Sequence, residues 1–231
     1  MKTIGLIGGM SWESSAEYYR LINQETKRRL GGHHNAASLM VTVDFAEIER
    51  LQHSGHWERL GGMLACAAQQ LERGGADFVV LCTNTMHKIA DSITGAVSLP
   101  FLHIADATAQ AISEAGQRRV GLLGTKFTME QPFYADRMRQ RFGMETVVPA
   151  PAERQQIHDI IYDELCHGVI RPESRAGFQR IIDGLAGEGA EAVILGCTEI
   201  GLLISAADSS LPVYDSTAIH ARAAVDYALS E

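Results

Sequence analysis

No two cysteines in this sequence are spaced as CxxC, and His33-His34 have no third ligand at metal spacing. Cys66, Cys82, Cys166 and Cys197 therefore signal neither a zinc site nor a dithiol redox motif, and no metal is expected. Free thiols suit a reducing compartment, so a cytoplasmic location is expected. No apolar run approaches the ~20 residues a membrane helix needs, and the amino terminus enters a strand-like segment without a signal-like stretch. No membrane association is expected. Positive charge is also scarce, with 20 Lys and Arg against 28 Asp and Glu and a net charge of −8. The one basic cluster, Lys27-Arg28-Arg29, ends a predicted helix, so nucleic acid is not an expected partner. Gly8-Gly9 follows the first strand but lacks G-x-G-x-x-G. That argues against a dinucleotide. Nor does any Ser- or Pro-rich linker divide the chain.

What the sequence does hold centres on Ala192–Leu203, AVILGCTEIGLL. Its short apolar run suits a parallel strand covered on both faces. Gly196 lets the backbone turn and Cys197 lands at the strand's carboxyl end, where open α/β sheets bind ligands. A helix opened by Thr198 or Glu199 would favour thiolate over thiol through its free N–H groups. The plainer reading is a buried core cysteine.

This stretch has a second copy. Leu71, Gly75, Ala76, Asp77, Val79, Val80 and Leu81 match Leu185, Gly189, Ala190, Glu191, Val193, Ile194 and Leu195 at an offset of 114. Ile4–Gly8 matches Val120–Gly124 at 116, with Tyr18 on Tyr134, and Ser98-Leu99-Pro100 recurs as Ser210-Leu211-Pro212 at 112. The chain thus reads as an α/β protein of two similar domains related by internal duplication. Each is expected to hold a mainly parallel, roughly four-stranded sheet flanked by helices, with the active site in the cleft between them. Residues 1–103 plus 213–231 form the first expected domain and 104–212 the second.

Hydrophobic spacing predicts strands at 3–7, 39–43, 78–81, 99–102, 120–123, 146–149, 192–195 and 211–215. Helices are predicted at 14–29, 57–73, 90–93, 129–142, 153–167, 172–187 and 219–229. Ser11 is the expected cap of the first helix. Segment 44–52 reads as a lead into the cleft or a surface loop, and Cys66 as core.

The offset of 114 sets Thr83, not Cys82, opposite Cys197, and Asn84 and Thr85 opposite Thr198 and Glu199. Strand alternation turns Cys82 away from its neighbour's side. Two related halves presenting Thr83 and Cys197 to one ligand would suit removal of a proton from one face of a carbon and its return to the other.

The stretches IGLIGGMS, LCTNTMHK, GLLGTKFTM and VILGCTEIGLL resemble the aspartate/glutamate racemase family over nearly the full length. The resemblance implies a cofactor-independent amino-acid racemase that needs no PLP and acts as a homodimer on a small amino-acid substrate. In that family a cysteine from each domain lies on either face of the substrate Cα. The first signature here departs from the pattern, because Thr83 holds the position of the first cysteine. By the resemblance, Cys197 takes the α-proton of the L-enantiomer and Thr83 assists on the far side. Met10, Ser11, Gln52, Asn84, Thr85, Thr125, Lys126 and Thr198 are the implied substrate-binding residues, with His87, Glu199 and Cys166 behind them. Aspartate-specific relatives carry a basic residue where Cys166 stands in IYDELCHG, and an arginine near EIERLQ, where Arg50 or Gln52 would serve. The implied range therefore extends from aspartate and glutamate to uncharged polar amino acids such as homoserine. Two alternatives stay open: another cofactor-free enzyme on the same scaffold, such as a decarboxylase or cis–trans isomerase with one working cysteine, and a two-lobed amino-acid-binding protein.

Overall fold

A computed structural model of the chain describes residues 1–230 and divides them into two compact units. The first holds Met1–His103 together with the chain from His220, and the second holds Ile104–Ile219.

The first unit runs β1 (Ile4–Gly8), α1 (Trp12–Leu30), β2 (Ser38–Thr42), α2 (Phe45–His53), α3 (Trp57–Gly74), β3 (Phe78–Leu81), a 3-10 turn at Thr85–Ile89, α4 (Ala90–Thr94) and β4 (Phe101–Leu102). Its sheet is parallel throughout, in the order β2-β1-β3-β4. The second unit runs α5 (Ile104–Glu114), β5 (Arg119–Gly124), α6 (Lys126–Glu130), α7 (Pro132–Phe142), β6 (Glu145–Val147) and α8 (Pro151–Asp163). A 3-10 turn at Leu165–His167, α9 (Pro172–Gly187), β7 (Ala192–Gly196), α10 (Ile200–Leu203), β8 (Val213–Asp215) and α11 (Ser216–Leu229) follow. Its sheet has the same pattern, β6-β5-β7-β8, again parallel. Pairing of β8 with β7 keeps residues 213–219 with the second unit, and α11 carries the chain back to the first.

Period-two alternation sorts each buried strand between two cores. In the first unit Ile7, Val79 and Leu81 face α2 and α3, packing on Ile48, Leu51, Leu60 and Leu64. Ile4, Leu6, Phe78, Val80 and Cys82 face α1 and α11, packing on Tyr18, Ile22, Ala221 and Val225. The second unit repeats the division. Leu123, Val193 and Leu195 pack on Ile157, Phe178 and Ile182, while Val120, Leu122 and Ile194 pack on Ile112, Tyr134 and Met138.

The repeat extends to single hydrogen bonds. Gly75 and Gly189 both end a helix with positive φ (88° and 87°), the left-handed turn glycine adopts without penalty. Ala76 N–H then donates to Leu71 O and Ala190 N–H to Leu185 O, both at 3.0 Å. The carboxylates of Asp77 and Glu191 accept from Thr3 N and Arg118 N at the start of β1 and β5.

Four local expectations need correction. Segment 44–52 is not a loop but α2, started by the Asp44 carboxylate accepting from Ala46 N at 3.1 Å. The helix expected over 129–142 is two helices, because Gln131 precedes Pro132 and is held extended. The helix expected to run to His167 ends at Asp163, and Cys166 sits in the following 3-10 turn, closed by Gly168 in left-handed conformation. Cys66 is exposed, since it lies off the buried stripe Leu60-Leu64-Ala67-Ala68-Leu71 of α3. Among the described residues no helix is long and apolar enough to cross a membrane.

Candidate active site

In each sheet the strand order reverses direction between the two central strands, so their carboxyl ends form the switch point where α/β folds take ligands. The first-unit switch point lies between β1 and β3, and the second-unit one between β5 and β7. These four ends carry Met10-Ser11, Thr83-Asn84-Thr85, Thr125-Lys126 and Cys197-Thr198.

In the first unit the loop after β1 is tied down from α1. Ser15 Oγ accepts from Gly9 N at 2.7 Å and donates to Ser11 O at 3.0 Å. Ser11 Oγ accepts from Ser14 N and caps α1, as expected. Gly9 has φ of 88°, and a Cβ there would lie 2.1 Å from Val43 O, so only glycine fits. Met10 and Ser11 are both buried.

At the end of β3 the alternation holds without a bulge. Cys82 is fully enclosed in the core against α1 and α11, and burial pushes its thiol far above the ordinary range. Thr83 N–H donates to Leu81 O at 2.9 Å, turning the chain so that Thr83, Asn84 and Thr85 occupy the strand exit, each at most 9% exposed. His87 Nδ1 lies 2.7 Å from Thr83 O, and since a carbonyl only accepts, this nitrogen carries the hydrogen.

Gln52 comes to this exit from α2. Its Nε2 donates to Met86 Sδ at 3.0 Å, and its Oε1 is buried without a hydrogen-bond partner. A thioether only accepts, so the amide must turn its NH2 to Met86 and leave its oxygen to be satisfied by something else. Arg50 does not share this place: its side chain is largely exposed and pairs with Glu47 at 3.9 Å.

In the second unit Thr125 caps α6, accepting from Thr128 N at 3.4 Å. The Lys126 ammonium is engaged by Gln155 Oε1 at 2.9 Å, while its backbone N–H donates to His158 Nδ1 at 3.3 Å. Gly196 is required by proximity, since a Cβ there would stand 2.8 Å from Leu123 O. Cys197 follows and keeps part of its surface accessible. Its thiol donates to Glu199 Oε2 at 2.9 Å, and Glu199 is itself buried.

This corrects the expected electrostatics at Cys197. The helix that follows is the four-residue α10, beginning only at Ile200, and the sulfur faces a carboxylate. Burial first, then the charges of Glu199 and Cys166, push the thiol well above its usual value. The resting group is a thiol hydrogen-bonded to a carboxylate, not a thiolate at a helix end. Cys166 packs beside Cys197 against the same apolar cluster, so the 3-10 turn after α8 reaches this exit. Thr198 Oγ1 accepts from Thr217 Oγ1 at 3.3 Å. Asp215, whose carboxylate caps the first turn of α11 through Thr217 N and Ala218 N, closes that side.

The structure groups the sequence's candidates into two sets, one within each unit: Met10, Ser11, Gln52, Thr83, Asn84, Thr85 and His87, and Thr125, Lys126, Cys166, Cys197, Thr198 and Glu199. Met86, Thr217 and Asp215 were not expected; a side chain that only supports another leaves no motif of its own. His33 and His34 lie exposed in a turn.

Comparison with known proteins places this arrangement. The Asp/Glu/Hydantoin racemase family profile matches residues 7–224, and the chain belongs to that family. It is an amino-acid racemase, an isomerase. It is similar over its full length to a Yersinia pestis protein described as a candidate Asp/Glu racemase, with 52% identity, a TM-score of 0.94 and 100% of each chain covered. An aspartate racemase homologue of Pyrococcus horikoshii superposes with a TM-score of 0.88 at 35% identity, again over 100% of each chain. The broad specificity amino-acid racemase RacX of Bacillus subtilis is 27% identical over 162 residues, covering 68% of this chain and 67% of its own.

Proposed function

We propose that the protein racemises α-amino acids by exchanging the proton at Cα between two unlike groups, Cys197 and Thr83. The observation that carries this reading is the Cys197 thiol, 2.9 Å from a buried carboxylate at the exit of a central strand. An α-proton needs a base, and a thiol held well above its usual pKa is not one. Glu199 supplies what is missing. When substrate enters, the thiol proton passes to Glu199, and the thiolate takes the α-proton of the L-enantiomer. The carbanion is then protonated on its other face by way of Thr83. A threonine hydroxyl is too weak an acid to end as alkoxide, so it relays a proton from water. Glu199 returns one proton to water, and the balance closes.

The same reading assigns the substrate's α-carboxylate to Asn84, Thr85, Thr198 and backbone N–H groups around them, with the Met10-Ser11 and Thr125-Lys126 turns lining the remainder. The side chain of the substrate is read by Gln52. An acceptor oxygen left over in a buried place favours a ligand that brings a donor, such as a hydroxyl or amide, and leaving it unmet costs about 1–3 kcal/mol. Arg50 pairs with Glu47, and by the family resemblance Cys166 takes the place of the basic residue of aspartate-specific relatives. Uncharged polar amino acids such as homoserine therefore lie within the range, alongside aspartate and glutamate.

The test is an amino-acid panel incubated in deuterium oxide, followed by NMR and chiral separation. The reading expects deuterium at Cα and growth of the opposite enantiomer, most rapidly for side chains bearing a donor. Loss of carbon dioxide, or double-bond isomerisation without exchange at Cα, would assign the single thiol to another reaction. Tight binding with no exchange, unaffected by Cys197→Ala, would mark a binding protein.

A further inference from the structure

Beneath Thr83 the first unit buries a group of polar rings that the reaction above does not use. His87 comes from the 3-10 turn after β3, His103 from the end of β4, His220 from α11 and Tyr18 from α1, and all four are buried. His87 sits at the centre. Its ring lies 4.5 Å from that of His103, 5.5 Å from Phe101 and 5.9 Å from His220, centroid to centroid. His220 is fixed at both nitrogens: Nε2 donates to Leu102 O at 2.9 Å, which leaves Nδ1 to accept from Tyr18 Oη at 2.8 Å.

Apolar side chains would fill this space at lower cost, since every buried ring nitrogen must find a partner. What a satisfied polar network adds is a single orientation for each member. Here the His87 ring packs edge-on against the fixed His220 ring, and its own hydrogen bond runs to the carbonyl of Thr83. We propose that His87, packed against His103 and against a His220 ring that Tyr18 fixes, is a positioning residue for the Thr83 half of the reaction. The inference rests on the two-group reading given above.

The physical link is the peptide plane. Residues 83 and 84 are joined by a trans peptide, so fixing the direction of the Thr83 carbonyl sets the Asn84 N–H pointing the opposite way. One hydrogen bond from His87 thereby fixes two things at the strand exit: the bearing of the Thr83 hydroxyl and that of a backbone donor toward the substrate carboxylate. Without it the peptide plane is free to tilt. The hydroxyl then spends less time in line with Cα, and a misplacement of about 1 Å can cost on the order of 100-fold. Cys197 belongs to the other unit and depends on none of these contacts.

That asymmetry supplies the test. Alpha-proton exchange in deuterium oxide is measured separately from the D- and the L-enantiomer for four variants. His87→Phe keeps a ring but removes the donor, and His87→Asn restores a donor near the Nδ1 position. Tyr18→Phe frees His220 while keeping the packing, and Thr83→Ala is the reference. The expected result is that His87→Phe slows exchange from the D-enantiomer at least tenfold more than from the L-enantiomer. His87→Asn recovers most of that loss, and Tyr18→Phe shows the same bias at smaller size. Equal slowing from both enantiomers, or no slowing, while Thr83→Ala remains selective would overturn the positioning role alone. If His87→Phe does not fold, Tyr18→Phe decides by the same criterion. A Thr83→Ala protein that keeps full D-side exchange would overturn the two-group reading, and this inference with it.

Discussion

Glu199 and Cys197 share one proton across 2.9 Å, and the thiol holds it at rest. Glu199→Gln should therefore change two measurements in opposite senses. Removing the carboxylate's charge removes one cause of the raised thiol pKa, so alkylation of Cys197 by iodoacetamide should rise at a lower pH, as read by peptide mass spectrometry. Removing the proton acceptor should slow exchange from the L-enantiomer by about 100-fold or more, the size of a general-base contribution. A variant slow in both respects would show a distorted site instead. His220 gives a second prediction at this scale. Burial lowers its pKa from 6.5 to about 4, so between these values the unfolded chain binds a proton that the folded one refuses. Stability is complete above pH 6.5 and falls as the pH drops toward 4, by roughly 3 kcal/mol in all at 1.4 kcal/mol per unit. Urea midpoints at pH 7 and pH 4.5 should differ more for the wild type than for His220→Asn, and identical differences would refute the assignment. Neither property could be read in the sequence. Cys197 was placed by its strand, but the direction of a glutamate two residues on depends on the short turn between them.

At the scale of elements the glycines do the placing. Gly9 combines a positive φ with a close approach to Val43 O, and Gly196 is pressed against Leu123 O. Gly9→Ala should therefore lower stability by at least ~2 kcal/mol, through backbone strain added to overpacking, seen as a fall in Tm. An unchanged Tm would mean that the loop after β1 is not held as described. The strands and most helices were legible because β3 and β7 are apolar runs between a glycine turn and a polar exit, and helix caps such as Ser11 stand where the pattern begins. α2 was not. Its stripe of Ile48, Leu51 and Gln52 includes a polar residue, and Gln52 is buried only because it meets Met86 and the exit of β3. Helix α7 begins afresh because Pro132 stands inside what reads as one periodic segment, and periodicity alone passes over that break.

For the molecule as a whole, duplication is the organising fact. Two units of the same strand order place four strand exits, and the offset between the copies distinguishes Thr83 from Cys82 before any coordinate is known. The copies have kept their backbone hydrogen bonds but diverged at the exits: a hydroxyl above a buried histidine network in one, a thiol beside a carboxylate in the other. On the proposed reading the two directions differ in kcat and in KM separately, while enantiomers of equal free energy keep kcat/KM equal and the final ratio at one. The measurement that bears most directly on this account is deuterium incorporation at Cα from L-homoserine, L-aspartate and L-glutamate by the wild type and by Cys197→Ala. The wild type should incorporate deuterium and carry at least one of these to an equal mixture of enantiomers, and Cys197→Ala should lose exchange from the L-enantiomer by 100-fold or more. Exchange that survives unchanged in Cys197→Ala would contradict the account.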